Sequence, residues 1–317
     1  MRPQGNYSCS YGSAAAILHM PFSSLYGYEL GGTTLCTSDD QYKFYVCDYG
    51  SFMSLRDTDI QSMYILMNDD QALLIDCDMY NGTLFYQDLL GLIGDRELSI
   101  YITHGHGDHI ANLQYIDPTR VTSLYWPDGE ATMNFGKDYD SQTDTGYADK
   151  IVYLKDGEEF TFAGRDFAVC TMTAHTEHGS VLVDKTDGVL FSGDALGTKT
   201  YRGGTSTGRL TAKEYLAELN HLTDTYGQYF DAIYQGHNLY PVPNVIDTLK
   251  ALCEAYITGG GAVVVNGNVY YYNCVLTDAG QVGIVFANGL TDAQNWYAGS
   301  LNIGQVAQDA WAAESGQ

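Results

Sequence analysis

Residues 98–109 read Leu98-Ser99-Ile100-Tyr101-Ile102-Thr103-His104-Gly105-His106-Gly107-Asp108-His109. A strand-like apolar run leads directly into three His and one Asp within six residues. In an extended or turning segment alternate side chains project to one side, so His104 and His106 face the same way. The glycines between them let the backbone turn tightly. Asp108 and His109 then fall on the turn entering a helix, expected near Ile110 to Tyr115. Neutral imidazoles together with a carboxylate suit zinc. At this density, directly behind a buried strand, the pattern reads as a metal site rather than a polar surface loop.

Outward from this stretch the chain alternates strands and helices. On the N-terminal side, Ser62–Met67 and Ala72–Asp76 read as strands about an Asn68-Asp69-Asp70 turn, and Tyr42–Cys47 as an earlier strand. Thr83–Ile93 reads as a helix with Leu84, Phe85, Leu89 and Leu92 on one face, stopped by Gly94. On the C-terminal side, strands are expected at Val121–Trp126, Ile151–Leu154, Glu159–Phe162 and Phe167–Cys170, with a short helix over Gly129–Phe135. Ser180–Val183 and Val189–Phe191 read as a hairpin closed by Asp187-Gly188. Thr211–Tyr226 has capping-box spacing, with Thr211 ahead of Glu214, and reads as an amphipathic helix. Ala232–Tyr234 is a short strand running into Gly236-His237, and Val245–Ile257 a further helix.

This order predicts a mixed α/β (α+β) protein with two mixed sheets packed face to face and helices outside. Residues 1–40 read as an irregular N-terminal extension, 41–260 as the main domain with a soft division near 165, and 261–317 as a β-rich C-terminal extension on the same domain. In that last segment Tyr270–Tyr272 and Ile284–Phe286 suggest either β-rich closure or a homodimer patch.

His-x-His-x-Asp-His resembles the signature of the metallo-β-lactamase superfamily, and further segments resemble its motifs in family order. Ala174-His175-Thr176 resembles the third-histidine motif, Phe191-Ser192-Gly193-Asp194 the bridging-aspartate motif, and Gly236-His237 the last histidine motif. Leu74-Ile75-Asp76 matches the family's strand and turn before the first helix. The resemblance implies an αβ/βα four-layer sandwich. It also implies a two-metal site, with two Zn2+ expected and Mn2+ or Fe as substitutes. His104, His106 and His175 would hold one metal, Asp108, His109 and His237 the other, and Asp194 would bridge them. Asp108 would also serve as a general base. The third-histidine region departs from the usual form as His175-Thr176-Glu177-His178-Gly179-Ser180; His175 is favoured as ligand, and His178 reads as a supporting or solvent-facing residue.

The resemblance also bears on branch. Flavodiiron members carry Glu where this chain has His106, and true β-lactamases lack a bridging carboxylate where it has Asp194. The full set resembles glyoxalase II, lactonases, phosphodiesterases and processing nucleases. Beyond His237 the only basic residue is Lys250, which argues against a glutathione carboxylate clamp.

Composition narrows the remaining choices. The 317 residues carry 39 acidic against 15 Lys+Arg side chains, a net charge of −24. Such a surface repels phosphate backbones and anionic membranes, so neither nucleic acid nor membrane is an expected partner. No apolar run reaches membrane-spanning length, and the N-terminal residues lack an apolar leader, which favours a cytoplasmic setting. Seven Cys without a C-x-x-C pair match neither a disulfide framework nor a zinc finger. The expected function is hydrolysis of a small-molecule ester, thioester or lactone. The alternatives are a phosphodiesterase of the same fold and a non-catalytic metal-binding or interaction module. Lys199, Tyr201, Arg202 and Arg209 lie in the Gly-rich stretch after Asp194 and are candidate substrate contacts.

Overall fold

The computed structural model describes residues 62–78, 82–130, 146–196, 212–236 and 245–258, together with strand segments at 16–20, 33–37, 43–48, 52–56, 262–265 and 268–271. The first sheet contains β1 (Ala16–Met20), β2 (Thr33–Thr37), β3 (Lys43–Asp48), β4 (Phe52–Arg56), β5 (Ser62–Met67), β6 (Gln71–Ile75), β7 (Glu97–Tyr101), β8 (Val121–Pro127) and β9 (Ile151–Leu154), side by side in that order. Neighbours from β1 to β6 are antiparallel, and from β6 to β9 parallel. The parallel step from β6 to β7 needs a crossover, supplied by helix α1 (Gly82–Ile93). Gly94 ends α1 at φ +61°, a conformation glycine adopts without steric cost.

The second sheet runs β10 (Glu159–Phe162), β11 (Arg165–Thr171), β12 (Ser180–Asp184), β13 (Val189–Phe191) and β14 (Ala232–Tyr234). Its pairs are antiparallel except β13 with β14, whose parallel crossover carries helix α3 (Ala212–Tyr226). A single helical turn, α2 (Gly107–Ile110), follows β7, and α4 (Val245–Thr258) follows β14.

Strand alternation explains the layers. On β5, Tyr64 and Leu66 point one way and Met63 and Ile65 the other. The first pair joins Leu73, Ile75, Tyr101, Phe167, Val169, Leu182, Phe191 and Tyr234 in the layer between the sheets. The second joins Leu74, Ile100 and Ile102 against Phe85, Leu89 and Ile93 of α1. On the far side, Ala168, Cys170, Val181, Val183 and Leu190 pack on Tyr215, Leu219 and Leu222 of α3 and on Val245 and Leu249 of α4. Each fully buried Leu or Phe contributes about 1.5–3 kcal/mol. The result is helix, sheet, sheet, helix, as the pattern of elements implied.

Three expectations need correction. Residues 1–40 are not wholly irregular, because β1 and β2 lie within them and extend the first sheet by antiparallel pairing. Strand formation there depends on the neighbouring strand more than on local propensity. The chain passes between sheets at residues 155–158, ahead of the division placed near 165, because β9 still pairs with β8 and β10 already pairs with β11. The helix after the histidine motif begins at Gly107, and a 3-10 turn over Ala111–Gln114 continues it. The His109 carbonyl accepts from the Cys77 N–H at 2.8 Å, and the Asn112 N–H donates to the Asp78 carbonyl at 3.1 Å. These bonds to the loop after β6 draw the backbone out of continuous α register. Gly129–Phe135 beyond residue 130, Thr211 and Ile284–Phe286 lie outside the described residues.

Candidate metal centre

Strand ends from both sheets converge on the histidine motif. The Ser180 N–H, at the start of β12, donates to the Thr103 carbonyl at 2.9 Å and joins the two sheets. The Gly236 N–H donates to the Gly193 carbonyl at 2.8 Å, and the Ser62 N–H donates to the Gly236 carbonyl at 2.7 Å. The loops after β7, β11, β13 and β14 therefore meet at one place.

At that place three ring nitrogens converge. His106 Nδ1 lies 3.1 Å from His104 Nε2 and 2.7 Å from His175 Nε2. The three rings stand nearly perpendicular to one another, with interplanar angles of 77°, 83° and 83°. Beside them, His109 Nε2 is 3.6 Å from Asp194 Oδ1, and His175 Nε2 is 3.6 Å from Asp194 Oδ2. The two oxygens of one carboxylate thus address two different histidines. Two groups of side chains could each hold a metal ion, His104/His106/His175 and His104/His109/Asp194, with donor atoms within 4.8 Å of one another. Asp108 lies at the rim, its side chain 28% exposed and its Oδ2 3.8 Å from His109 Nε2.

Hydrogen bonds on the far side of the rings set their tautomers. Buried Asp76, at φ +59°, accepts from the Thr103 N–H and hydroxyl and from His109 Nδ1 at 2.8 Å. With its proton given to Asp76, Thr103 Oγ1 can accept from His104 Nδ1, 3.0 Å away. Both histidines are therefore fixed with Nε2 turned inward. Glu130 acts on the backbone instead. One of its carboxylate oxygens accepts from the Gly105 N–H at 2.9 Å and the other from the His178 N–H at 3.0 Å, which ties together the two histidine loops.

Electrostatics match a cation. Burial and the neighbouring imidazoles hold His104 well below the usual histidine range, so its ring stays neutral with a lone pair to offer. Burial also pulls His109 down, but Asp76, Asp108 and Asp194 outweigh it and hold His109 well above that range. Three carboxylates focused on one imidazole form a pocket of negative potential that a metal ion would neutralise. The 3.6 Å donor spacings are close to the edge of a tetrahedron with zinc–ligand bonds of about 2.1 Å, an edge of about 3.4 Å. On donor type and potential these residues fit a metal, and the separations of Asp194 from His109 and His175 match in spacing.

Glycine is required where loops touch. A Cβ on Gly193, at φ +47°, would run into the Thr103 side chain, and one on Gly236 would run into Asp194 Oδ1 and His109 Cε1.

Of the residues expected from sequence, His104, His106, His109, His175 and Asp194 are brought together, with Asp108 at the edge. His178 is exposed, and its ring lies on Gly129, apart from both groups. His237, Lys199, Tyr201, Arg202 and Arg209 lie outside the described residues. Sequence reasoning did not assign the positioning roles of Asp76, Thr103 and Glu130. Asp76 was visible as a strand-end carboxylate, whereas Glu130 is 25 residues from Gly105 and 48 from His178 and has no local signal.

The profile of the family described as Metallo-beta-lactamase superfamily matches residues 56–223. No curated protein matches the sequence. Among solved structures, the chain is similar to a flavoprotein from Thermotoga maritima, at 14% identity and a TM-score of 0.45, over 76% of this chain and 62% of that one. It thus spans less than two thirds of that protein's length. It is also similar to the BLEG-1 B3 metallo-beta-lactamase (18% identity, TM-score 0.44, 59% of this chain and 91% of that one). A metallo-beta-lactamase from Pontibacter korlensis is similar at 13% identity and a TM-score of 0.46, over 70% of this chain and 99% of that one.

Proposed function

Because the chain belongs to the metallo-beta-lactamase superfamily, largely one of metal-dependent hydrolases, we propose that it is a binuclear metal-dependent hydrolase of a small-molecule ester, thioester or lactone. One observation carries this reading: the Asp194 carboxylate turns one oxygen toward His109 and the other toward His175, as a ligand shared by two ions would. His104, His106 and His175 would hold one ion, and Asp108, His109 and His237 the other. Zinc is the expected metal, since histidine and carboxylate donors suit it. A pair of such ions, when bound, acidifies a shared water and polarises a scissile carbonyl.

The chain's own residues supply the rest. Asp76 and Thr103 hold His109 and His104 in the tautomers that present Nε2. Glu130 fixes the distance between the two histidine loops. Asp108, partly exposed at the rim, would take a proton from the attacking water. The net charge of −24 opposes polyanionic substrates and so favours a small ester over a nucleic acid.

The test is elemental analysis of freshly purified protein, with a panel of thioesters, lactones, aryl esters and phosphodiesters. The expected result is about two metals per chain and turnover of an ester-class substrate. That turnover should fall by at least about 100-fold in His106→Ala and Asp194→Ala. Protein purified without metal, or phosphodiester turnover exceeding that of every ester, contradicts the reading.

A further inference from the structure

A second cluster of donors shares no residue with the histidine centre. Cys170 lies on β11, on the face that packs against α3, and is fully buried. Asp156, in the turn between β9 and β10, accepts from the Thr171 N–H at Oδ1, 2.8 Å away. That bond fixes the carboxylate with Oδ2 toward His221 Nε2, at 3.5 Å. His221 is on α3, and its Nδ1 lies 3.4 Å from Thr225 Oγ1. The Asp156 oxygen, the Cys170 sulfur and a His221 ring nitrogen all lie within 4.8 Å of one another.

We propose that Asp156, Cys170 and His221 form a second metal site, for a zinc-class divalent ion, that pins helix α3 to β11 and to the β9–β10 turn. The 3.5 Å Asp156–His221 separation is long for a good hydrogen bond and close to the edge of a zinc coordination tetrahedron, about 3.4 Å. One sulfur, one nitrogen and one oxygen donor select zinc or a similar ion over magnesium or calcium, which take oxygen. The sulfur forms the floor, while His221 and Asp156, each about half exposed, form the rim through which the ion enters. Glu218 lies one turn before His221 on the same helix face. It accepts from the Thr173 N–H and hydroxyl and adds a second carboxylate near the thiol. Burial, Asp156 and Glu218 hold the thiol well above its usual range, so the ion must displace the thiol proton to solvent before the thiolate takes it.

The donors assigned to the histidine centre include no sulfur, so sulfur ligation distinguishes the two sites. The probe is Co2+ titrated into the full chain and followed by the near-ultraviolet sulfur-to-cobalt charge-transfer band. The band is expected in the wild type and in His106→Ala, which disrupts only the histidine centre. It is also expected in Cys77→Ser, which removes the buried cysteine next to that centre. It should vanish in Cys170→Ser, and the cobalt affinity it reports should fall by at least about 10-fold in His221→Ala. His221 is exposed on its helix, so that variant tests the site without disturbing the core. Absence of the band in the wild type, its persistence in Cys170→Ser, or unchanged affinity in His221→Ala overturns the proposal.

Discussion

Asp76 shows how much one side chain outside the ligand set can decide. It sits at φ +59°, a conformation in which Asp is tolerated better than most residues. From there one carboxylate serves Thr103 and His109 together. Asp76→Asn keeps the size and one acceptor but loses the charge that orients His109. Metal affinity is expected to fall about 10- to 100-fold, as measured by competition with a chromogenic chelator, with the circular dichroism spectrum unchanged. Unaltered affinity would show that Asp76 only holds the loop. Gly236→Ala makes the complementary case. The added methyl meets Asp194 and His109 directly, so it should displace the shared carboxylate. Loss of the second metal equivalent in elemental analysis is the expected outcome, and full retention of metal would contradict it.

At the scale of elements, the β12–β13 hairpin depends on a buried ion pair. Arg165 opens β11 and reaches across to Asp184 at the end of β12, with Asp187 in the turn as a second partner at 2.6 Å. Asp184 also accepts at Oδ1 from the Thr186 and Asp187 N–H groups and so shapes the turn. Burial still pushes its carboxyl up, and Arg165 opposes that shift. Arg165→Met removes the opposing charge and leaves a carboxylate buried at the end of the central strand β12. The expected cost is roughly 3–5 kcal/mol, read from urea unfolding; a loss under about 1 kcal/mol would mean the pair adds little. The short α2 turn shows a different constraint. Its backbone bonds to the loop after β6 keep His109 aimed at Asp194, and a regular helix would not make them.

For the whole molecule, the candidate centre is a seam between two sheets, each with its own apolar layer against helices. Ligands from both sides mean that bound metal should stabilise the folded state by linkage, about 4 kcal/mol at a thousand times the dissociation constant. Chelation is therefore expected to lower the thermal midpoint, with the loss reversed by added zinc and much smaller in His106→Ala. Equal midpoints with and without chelator in the wild type would contradict a centre that joins the sheets. Among the described residues no helix is long and apolar enough to cross a membrane.

The layered α/β order and most of the candidate centre are legible in the sequence alone. Strand alternation and helical periodicity are local, and His104, His106, Asp108 and His109 are contiguous with a strand end. His175 and Asp194 are legible because each follows a strand within four residues, so their motifs survive as short local signals. Tertiary structure alone decided the rest. It placed β1 and β2 in the sheet by pairing that local propensity does not encode. It moved the sheet boundary to residues 155–158 and gave Glu130 two N–H groups far away in the chain. It also brought Asp156, Cys170 and His221 together from a turn, a strand and a helix. The physical reason is range: periodicity and motif spacing act over a few residues, whereas a ligand's orientation is set by hydrogen bonds across two sheets that exist only once the chain has folded.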